Sequence, residues 1–177
     1  HGRDAPGAAP VVVGGGHGGR RGRGQQPCGH RLVQHVAEGP RGDAPAIGLS
    51  DRLYALGLDM TRRDLQNECK KQGRPWEIGK GFDSSGPIGP IHPRALTGTL
   101  SQGNITLSVN GIQKQTSDLS QMIWNIPESI AYLSGLFELK AGDLIFSGTP
   151  EGVGAVVKGD KMIGHVAGLG EFEVHVV

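Results

Sequence analysis

Short apolar runs separated by turn residues indicate a chain built mainly of β-strands. Continuous runs at 53–58 and 144–147 predict buried strands, and the stretches 162–166 and 172–176 predict a terminal strand pair joined through glycines. Residues 105–116 predict a β-hairpin, because apolar and polar residues alternate up to an Asn-Gly pair of the kind that forms type I′ turns.

Two helices are predicted among these strands. Thr61 is placed to cap a helix that continues to about Lys71, with Asp64 in the position of a capping box. A second helix is predicted from Pro127 to about Glu138. Its apolar face is formed by Ile130, Leu133, Leu136 and Phe137. The proline- and glycine-rich residues 76–96 predict an irregular loop, so the whole chain is predicted to be a β-rich α+β fold.

The composition changes near residue 50, which predicts a boundary between residues 1–50 and residues 51–177. Residues 1–50 hold 13 of the 31 glycines and no Lys or aromatic residue, and apart from Val11–Val13 they show no apolar period. Three interpretations are open. The segment is an RNA-contacting Arg-Gly element, a disordered segment with too little apolar surface to fold, or out-of-frame translation of GC-rich DNA. The RNA interpretation would rest on Arg20, Arg21 and Arg23, but no aromatic residue is interleaved to stack on bases.

The overall charge and the cysteine count exclude several classes of protein. A formal net charge of +1 gives no reason to expect a nucleic-acid or membrane partner. Two cysteines are too few for a disulfide framework and fit a reducing compartment. Because no apolar run has the length of a membrane span, we expect a cytoplasmic location.

Candidate chemistry concentrates between residues 59 and 85. Asp59 ends the apolar run, and a buried carboxylate is costly unless a metal ion or a nearby cation pairs with it. An equally plain alternative is a carboxylate at a helix N-terminus, stabilised by about 0.3–1 kcal/mol through the macrodipole.

Two other polar patterns admit ordinary explanations. The loop from Gly148 to Gly154 resembles a phosphate cradle, but it lacks the P-loop lysine pattern, and its glycines are better explained by close backbone approach to a substrate. Glu171, Glu173 and His175 share one face of a predicted strand, which is tempting as a metal site. The pattern is better explained as the solvent face of a half-buried strand, because Phe172, Val174 and Val176 lie on its other face.

Three motifs in order resemble the fumarylacetoacetate hydrolase family, and within it the acylpyruvate-hydrolysing members. They are GLDMTRRDLQ at 57–66, GKGFDSS at 79–85 and SGTP at 147–150, and the resemblance covers residues from about 52 to 177. It implies a mixed β-sheet roll with a few short helices, a Mg²⁺ or Mn²⁺ cofactor, a small-molecule 2-oxo acid substrate and a homodimer.

The resemblance also implies roles for individual residues. Asp59 is expected to ligate the metal, with the Ser84 hydroxyl near its shell. Lys80 is expected to be the catalytic cation that stabilises an enolate formed when a 1,3-diketo acid is split by water. Arg63, Gln66 and Thr149 resemble substrate-binding positions. Arg63 is explained equally well as a structural partner of Asp64 or Asp59.

The chain departs from the family pattern upstream of Asp59. Other members carry a Glu-x-Glu pair there that completes the metal site, whereas this interval holds Gln25 to His30 and no carboxylate pair. The resemblance places a general-base His/Glu pair still further upstream. Since the loss of the motif coincides with the change in composition, we favour the out-of-frame interpretation of residues 1–50.

Three functions are therefore weighed. The leading prediction is a metal-dependent hydrolase of acylpyruvates such as fumarylpyruvate or acetylpyruvate. The alternatives are an isomerase or decarboxylase of 2-oxo diacids on the same fold, and a family remnant that is impaired because it lacks the metal-binding glutamates.

Overall fold

A computed structural model describes residues 11–13, 28–29, 32–33, 53–140 and 142–177. The strands are β1 (Val11–Val13), β2 (Cys28–Gly29), β3 (Leu32–Val33), β4 (Leu53–Tyr54), β5 (Gly57–Leu58), β6 (His92–Pro93), β7 (Asn104–Val109), β8 (Ile112–Asp118), β9 (Ala155–Val156), β10 (Lys161–Val166) and β11 (Gly170–Val176). The helices are α1 (Arg63–Lys71), α2 (Arg94–Thr97) and α3 (Ile126–Ser134), with single 3-10 turns at Glu77–Gly79 and Leu119–Gln121.

Five of these strands form one mixed sheet in the order β1-β11-β10-β7-β8. The pairs within 104–176 are antiparallel, and β1 adds to the β11 edge in parallel. Three two-stranded pairs, β2-β9, β3-β5 and β4-β6, lie beside the main sheet. The predicted β-rich α+β fold is confirmed, since strands outnumber the three helices of the described residues.

The predicted hairpin is the best-formed element of the sheet. Asn110 and Gly111 both have positive φ, 51° and 79°, as a type I′ turn requires. Ile105, Leu107 and Val109 are buried on one face of β7, so the period-two pattern of the sequence sets the register. The predicted terminal strand pair is likewise found, as β10 and β11.

The core collects the apolar faces of the sheet and the residues that precede α1. Among the side chains with less than 2% exposure are Tyr54, Leu58, Met60, Leu107, Leu119, Met162, Val156 and Val166. Since β5 and the residues around it are buried in this cluster, the chain that follows β5 starts from a fixed position.

The prediction of a strand at 144–147 is wrong. No strand covers these residues in the described part of the chain, and of the apolar run only Ile145 is buried, while Leu144 and Phe146 are exposed. Apolar character alone was the basis of the prediction, and a strand also needs a neighbouring backbone to bond.

Both helices differ at one end from the prediction. Thr61 is not the cap of α1, because the N-cap is Arg62 and it makes no side-chain capping bond. Helix α3 ends at Ser134 rather than near Glu138, and Leu136 and Phe137 are exposed. The C-terminus of α1 at Lys71 agrees with the prediction.

The segment 76–96, predicted to be an irregular loop, is mostly irregular. It also contains the Glu77–Gly79 turn, β6 and the start of α2. Over the described residues, none of the helices is long and apolar enough to cross a membrane.

Candidate functional site

Asp59 is held in place by two strand-like segments that run alongside each other. The Leu58 N–H donates to the Pro87 carbonyl (2.9 Å), and the Met60 N–H donates to the Ser85 carbonyl (2.8 Å). A third bond, 2.9 Å long, joins the Arg62 N–H to the carbonyl of Gly79. These three backbone hydrogen bonds join the returning segment 79–87 to the residues around Asp59.

This pairing brings Lys80 onto Asp59. Lys80 Nζ lies 2.6 Å from both carboxylate oxygens of Asp59, and the two side chains are only 24% and 27% exposed. Sequence analysis predicted that Asp59 needs a metal ion or a nearby cation, and Lys80 supplies that cation. Partial burial strengthens the ion pair relative to an exposed one, because less water screens it.

Arg63 and Gln66 form a second polar pair on the first turn of α1. Arg63 Nη1 donates to Gln66 Oε1 at 2.6 Å, and Gln66 is 3% exposed. Among the described residues the Arg63 guanidinium therefore bonds Gln66 rather than Asp59 or Asp64. A side chain at Gly79 would come within 2.9 Å of Gln66 Cβ, so Gly79 lets the returning segment pack directly on α1.

The SGTP loop begins beside β5. The Phe146 ring lies against the backbone at Gly57 and Gly86, where an added Cβ would meet it at 3.3 Å and 3.1 Å. Thr149, three residues further on, lines a cleft of about 510 Å³. The loop therefore starts next to the strand that leads to Asp59 and continues into this cleft.

One glycine of the loop has a different role from the predicted one. Gly152 has a φ of 95°, and a Cβ there would collide with the Lys114 carbonyl of β8. The close approach is thus to the protein backbone rather than to a substrate. Gly148 in the same loop has no such neighbour within 4 Å.

Ser84 is exposed and adopts the left-handed conformation, with a φ of 58°. The backbone carbonyl of its neighbour Ser85, rather than its own hydroxyl, bonds the segment that carries Asp59. The role of Ser84 near a metal stays a prediction.

The acidic face of β11 forms an ion-pair cluster. Glu173 lies 2.7 Å from Lys161 Nζ and 2.8 Å from His175 Nε2. Hydrogen bonds from Lys161 and then from His175 hold the pKa of the Glu173 carboxyl below its usual value. The solvent-face explanation fits this arrangement, because the carboxylate is paired across the strands β10 and β11.

The cleft contains residues that the sequence did not single out. It is lined by the start of β7, the end of β8, the segment that leads to α3 and the SGTP loop. Outside the three motifs the lining includes Asp118, Met122, Ile123 and Trp124, and Ser147 joins them from the SGTP loop. The sequence signal that could have indicated the cleft was the apolar segment 122–124 just before a helix cap. In the structure Ile123 is 96% exposed and Trp124 is 48% exposed.

The described residues do not by themselves form a metal centre. Among them, no three His, Cys, Asp or Glu side chains are grouped so that they could hold a metal ion. Asp59 supplies one carboxylate, and Lys80 is paired with it. Mg²⁺ prefers near-octahedral oxygen coordination, so this donor set does not fit such an ion unaided.

Comparison with known proteins finds one family model and many relatives. The model described as "Fumarylacetoacetate (FAA) hydrolase C-terminal" matches residues 52–177. A fumarylpyruvate hydrolase of Ralstonia sp is 51% identical over 123 residues, which is 70% of this chain and 64% of that protein. The mitochondrial oxaloacetate tautomerase FAHD1 of Homo sapiens is 42% identical over 143 residues, 79% of this chain and 65% of that protein.

A solved structure gives the same answer for the fold. The crystal structure of the fumarylpyruvate hydrolase of Pseudomonas aeruginosa, a complex with Mn²⁺ and pyruvate, superimposes with a TM-score of 0.81 at 43% identity. The match covers 96% of this chain and 74% of that one. The predicted fold and the predicted class of cofactor agree with this relative. The chain spans about two thirds of the length of the two curated relatives, 64% and 65%.

Proposed function

Because this chain belongs to the fumarylacetoacetate hydrolase family, we propose that it hydrolyses a carbon–carbon bond in an acylpyruvate-type 2-oxo acid. The observation that carries the proposal is the half-buried Asp59–Lys80 pair in the family's motif, held beside the start of the SGTP loop. The relatives supply the substrate class, since one is a fumarylpyruvate hydrolase and another was solved with pyruvate.

The bond changes of this reaction define what the site must do. The oxygen of water bonds to the acyl carbonyl carbon, and the bond between that carbon and the methylene of the pyruvate half breaks. The electron pair moves onto the pyruvate half as an enolate, which takes a proton to become pyruvate, while the acyl group leaves as a carboxylic acid. A cation placed at the developing enolate lowers the barrier, because charge forms there in the transition state.

The residues of this chain have separate parts in the proposal. Lys80 is the cation that we assign to the developing enolate, and Asp59 fixes its ammonium group by accepting hydrogen bonds through both oxygens. Gln66, oriented by Arg63, and Thr149 hold the polar end of the substrate by hydrogen bonds. Mn²⁺ or Mg²⁺ belongs to the proposal through the relative that contains Mn²⁺. Asp59 would ligate such an ion only by releasing Lys80 from one of its two oxygens, and further ligands would be needed.

A second function has specific support. The human relative is an oxaloacetate tautomerase, which is an isomerase of a 2-oxo diacid and matches the alternative predicted from the sequence. Tautomerisation moves a proton between carbon and oxygen through the same enolate, so the Lys80 cation would serve both reactions.

The two functions are separated by one set of assays on the full chain with Mn²⁺ added. We expect stoichiometric pyruvate from acetylpyruvate and fumarylpyruvate, measured with a coupled lactate dehydrogenase assay. Ketonisation of enol-oxaloacetate, followed by its ultraviolet absorbance, measures the alternative. Tautomerisation without pyruvate release would replace the hydrolase assignment, and inactivity in both assays would favour an impaired family member.

Metal binding is tested independently of activity. Calorimetric titration with Mn²⁺ should show binding that Asp59→Asn weakens, because that change removes a carboxylate charge. A chain that binds no Mn²⁺ would identify a remnant of the family, as the missing Glu-x-Glu pair suggests. Reading the first fifty codons in all three frames would then show whether another frame restores that pair upstream of Asp59.

The homodimer, the cytoplasmic location and the boundary near residue 50 stay predictions. Light scattering on the purified chain measures its oligomeric state, and we expect the mass of about two chains. Most of residues 1–50 lie outside the described part of the structure, which there contains only β1, β2 and β3.

A further inference from the structure

We infer that the cleft beside the SGTP loop binds the acyl arm of the substrate and selects acyl groups that are apolar and uncharged. This inference rests on the proposed function and adds a substrate preference to it. The location of the cleft is the first reason. Thr149 and Ser147 form one side of it, and Phe146, which precedes them, packs on Gly57 two residues before Asp59.

The size of the cleft suits a small molecule. Its volume of about 510 Å³ lies within the range of roughly 300–1,000 Å³ that is typical of ligand sites. Thr149, which is predicted to orient the keto acid, lines this space, so a substrate bound at Thr149 is in contact with the wall of the cleft.

A buried hydroxyl marks the polar end of the cleft. Ser147 Oγ is inaccessible to solvent, and among the described residues it has no hydrogen-bond partner. Buried polar atoms of this kind are nearly always satisfied in native structures. Rotation of the Ser147 side chain would bring this hydroxyl into the cleft, where a carbonyl oxygen of a bound acyl group would accept its hydrogen and remove this cost.

The opposite side of the cleft is apolar and open. Met122, Ile123 and Trp124 line it, and Ile123 is 96% exposed. The Trp124 ring is held edge-on by Tyr132, with the two ring centroids 5.0 Å apart. A rigid indole next to exposed aliphatic side chains is suited to cover an apolar chain from water.

The charge in the cleft is negative. Asp118 lines it, and both carboxylate oxygens are fixed by backbone N–H groups, Oδ1 by Ser120 and Oδ2 by Gly103. None of the described lining residues is a Lys, Arg or His. A carboxylate at the end of the acyl arm, as in fumarylpyruvate, would meet a like charge without a described lining cation to offset it.

A matched pair of substrates tests the inference. Crotonylpyruvate has the trans double bond of fumarylpyruvate with a methyl group in place of the terminal carboxylate. We expect the full chain, assayed with Mn²⁺, to turn over crotonylpyruvate with a kcat/KM about tenfold above that for fumarylpyruvate. Asp118→Asn should reduce the ratio of kcat/KM for crotonylpyruvate to that for fumarylpyruvate. Trp124→Ala should lower kcat/KM for crotonylpyruvate about tenfold and should lower it by a smaller factor for acetylpyruvate, whose acyl arm is shorter. The exposed Ile112, at the start of β8, provides the control Ile112→Ala.

A binding measurement keeps the inference separate from the activity. The chain has two tryptophans, so Trp76→Phe leaves Trp124 as the only indole emitter. Crotonylpyruvate should change the emission of that variant at lower concentration than fumarylpyruvate. No emission change with crotonylpyruvate, or equal response to both compounds, would overturn the acyl subsite even if hydrolysis is observed. Emission changes without turnover of any acylpyruvate would retain the subsite and overturn the proposed hydrolysis.

Discussion

Lys80 Nζ bonds both carboxylate oxygens of Asp59 at 2.6 Å, although 21 residues separate them in sequence. The contact depends on the backbone hydrogen bonds that join residues 79–87 to the end of β5 and the residues after it. It pairs the partly buried carboxylate and at the same time holds a cation in a fixed position, which is a requirement for electrostatic catalysis.

Replacing Lys80 by Met should affect both activity and stability. We expect kcat/KM for acylpyruvate to fall about 10²-fold, because the enolate loses its cation. Since a partly buried carboxylate is left without this partner, the free energy of unfolding should fall by about 1–2 kcal/mol. Steady-state kinetics and urea denaturation measure the two effects.

The exposed Lys71 at the end of α1 provides the control Lys71→Met, which should change neither quantity. A double-mutant cycle with Asp59→Asn measures the coupling. Additive effects of the two changes would contradict the importance given to the pair.

The SGTP loop offers a matched pair of glycine substitutions. Gly152→Ala should destabilise the chain by about 2–3 kcal/mol, because the residue has positive φ and its new Cβ would collide with the Lys114 carbonyl. Gly148→Ala should be tolerated within about 0.5 kcal/mol. Thermal denaturation followed by circular dichroism compares them, and equal destabilisation by the two changes would refute the assigned contact.

The N-terminus of α3 is fixed by a reciprocal capping box. Asn125 Oδ1 accepts the Glu128 N–H and Glu128 Oε2 accepts the Asn125 N–H, both at 2.9 Å. Asn125→Ala should therefore cost about 1 kcal/mol in a denaturation experiment, whereas Asn125→Asp should be nearly neutral. A loss as large for Asp as for Ala would show that the cap is not the cause.

Glu173 gives the chain a pH-dependent contribution to stability. Because the pKa of this carboxyl is lowered in the folded state, its contribution is present above the ordinary carboxyl pKa and is lost as the pH falls through the folded value. Glu173→Gln should lower the melting temperature at pH 7, and the difference from the parent chain should shrink as the pH falls through the folded pKa of Glu173. Glu171→Gln removes the same charge from the same strand and serves as the control. A difference that stays constant with pH would exclude the ion-pair explanation.

Patterns with local causes were predictable from the sequence. The β7–β8 hairpin and the β10–β11 pair follow from period-two alternation and their turns, because both partners are close in sequence. The strand prediction at 144–147 was wrong for the opposite reason, because a strand there would have needed a partner from a distant part of the sequence. Thr61 failed as a cap because it is buried beside the returning segment rather than at a free helix end.

The site was predictable only in part. Residue types between 59 and 85 suggested that Asp59 needs a cation, but the resemblance to a family, rather than spacing, pointed to Lys80. The cleft could not be predicted, because residues 105–129 and 147–150 contribute to it from separate parts of the chain. The role of Asp118 is visible only when its backbone partners are known. Ser120, through its hydroxyl and its N–H, and then Gly103 keep the pKa of this carboxyl below its usual value.

The arrangement of the main sheet has a consequence for the order of folding. The pairs β7–β8 and β10–β11 close loops of a few residues, so they cost little chain entropy and can form early. The parallel strand β1 joins this edge with Val11 opposite Val174, so the pairing joins residues that are far apart in sequence. We therefore expect this edge to be completed last, on a four-stranded sheet that is already assembled.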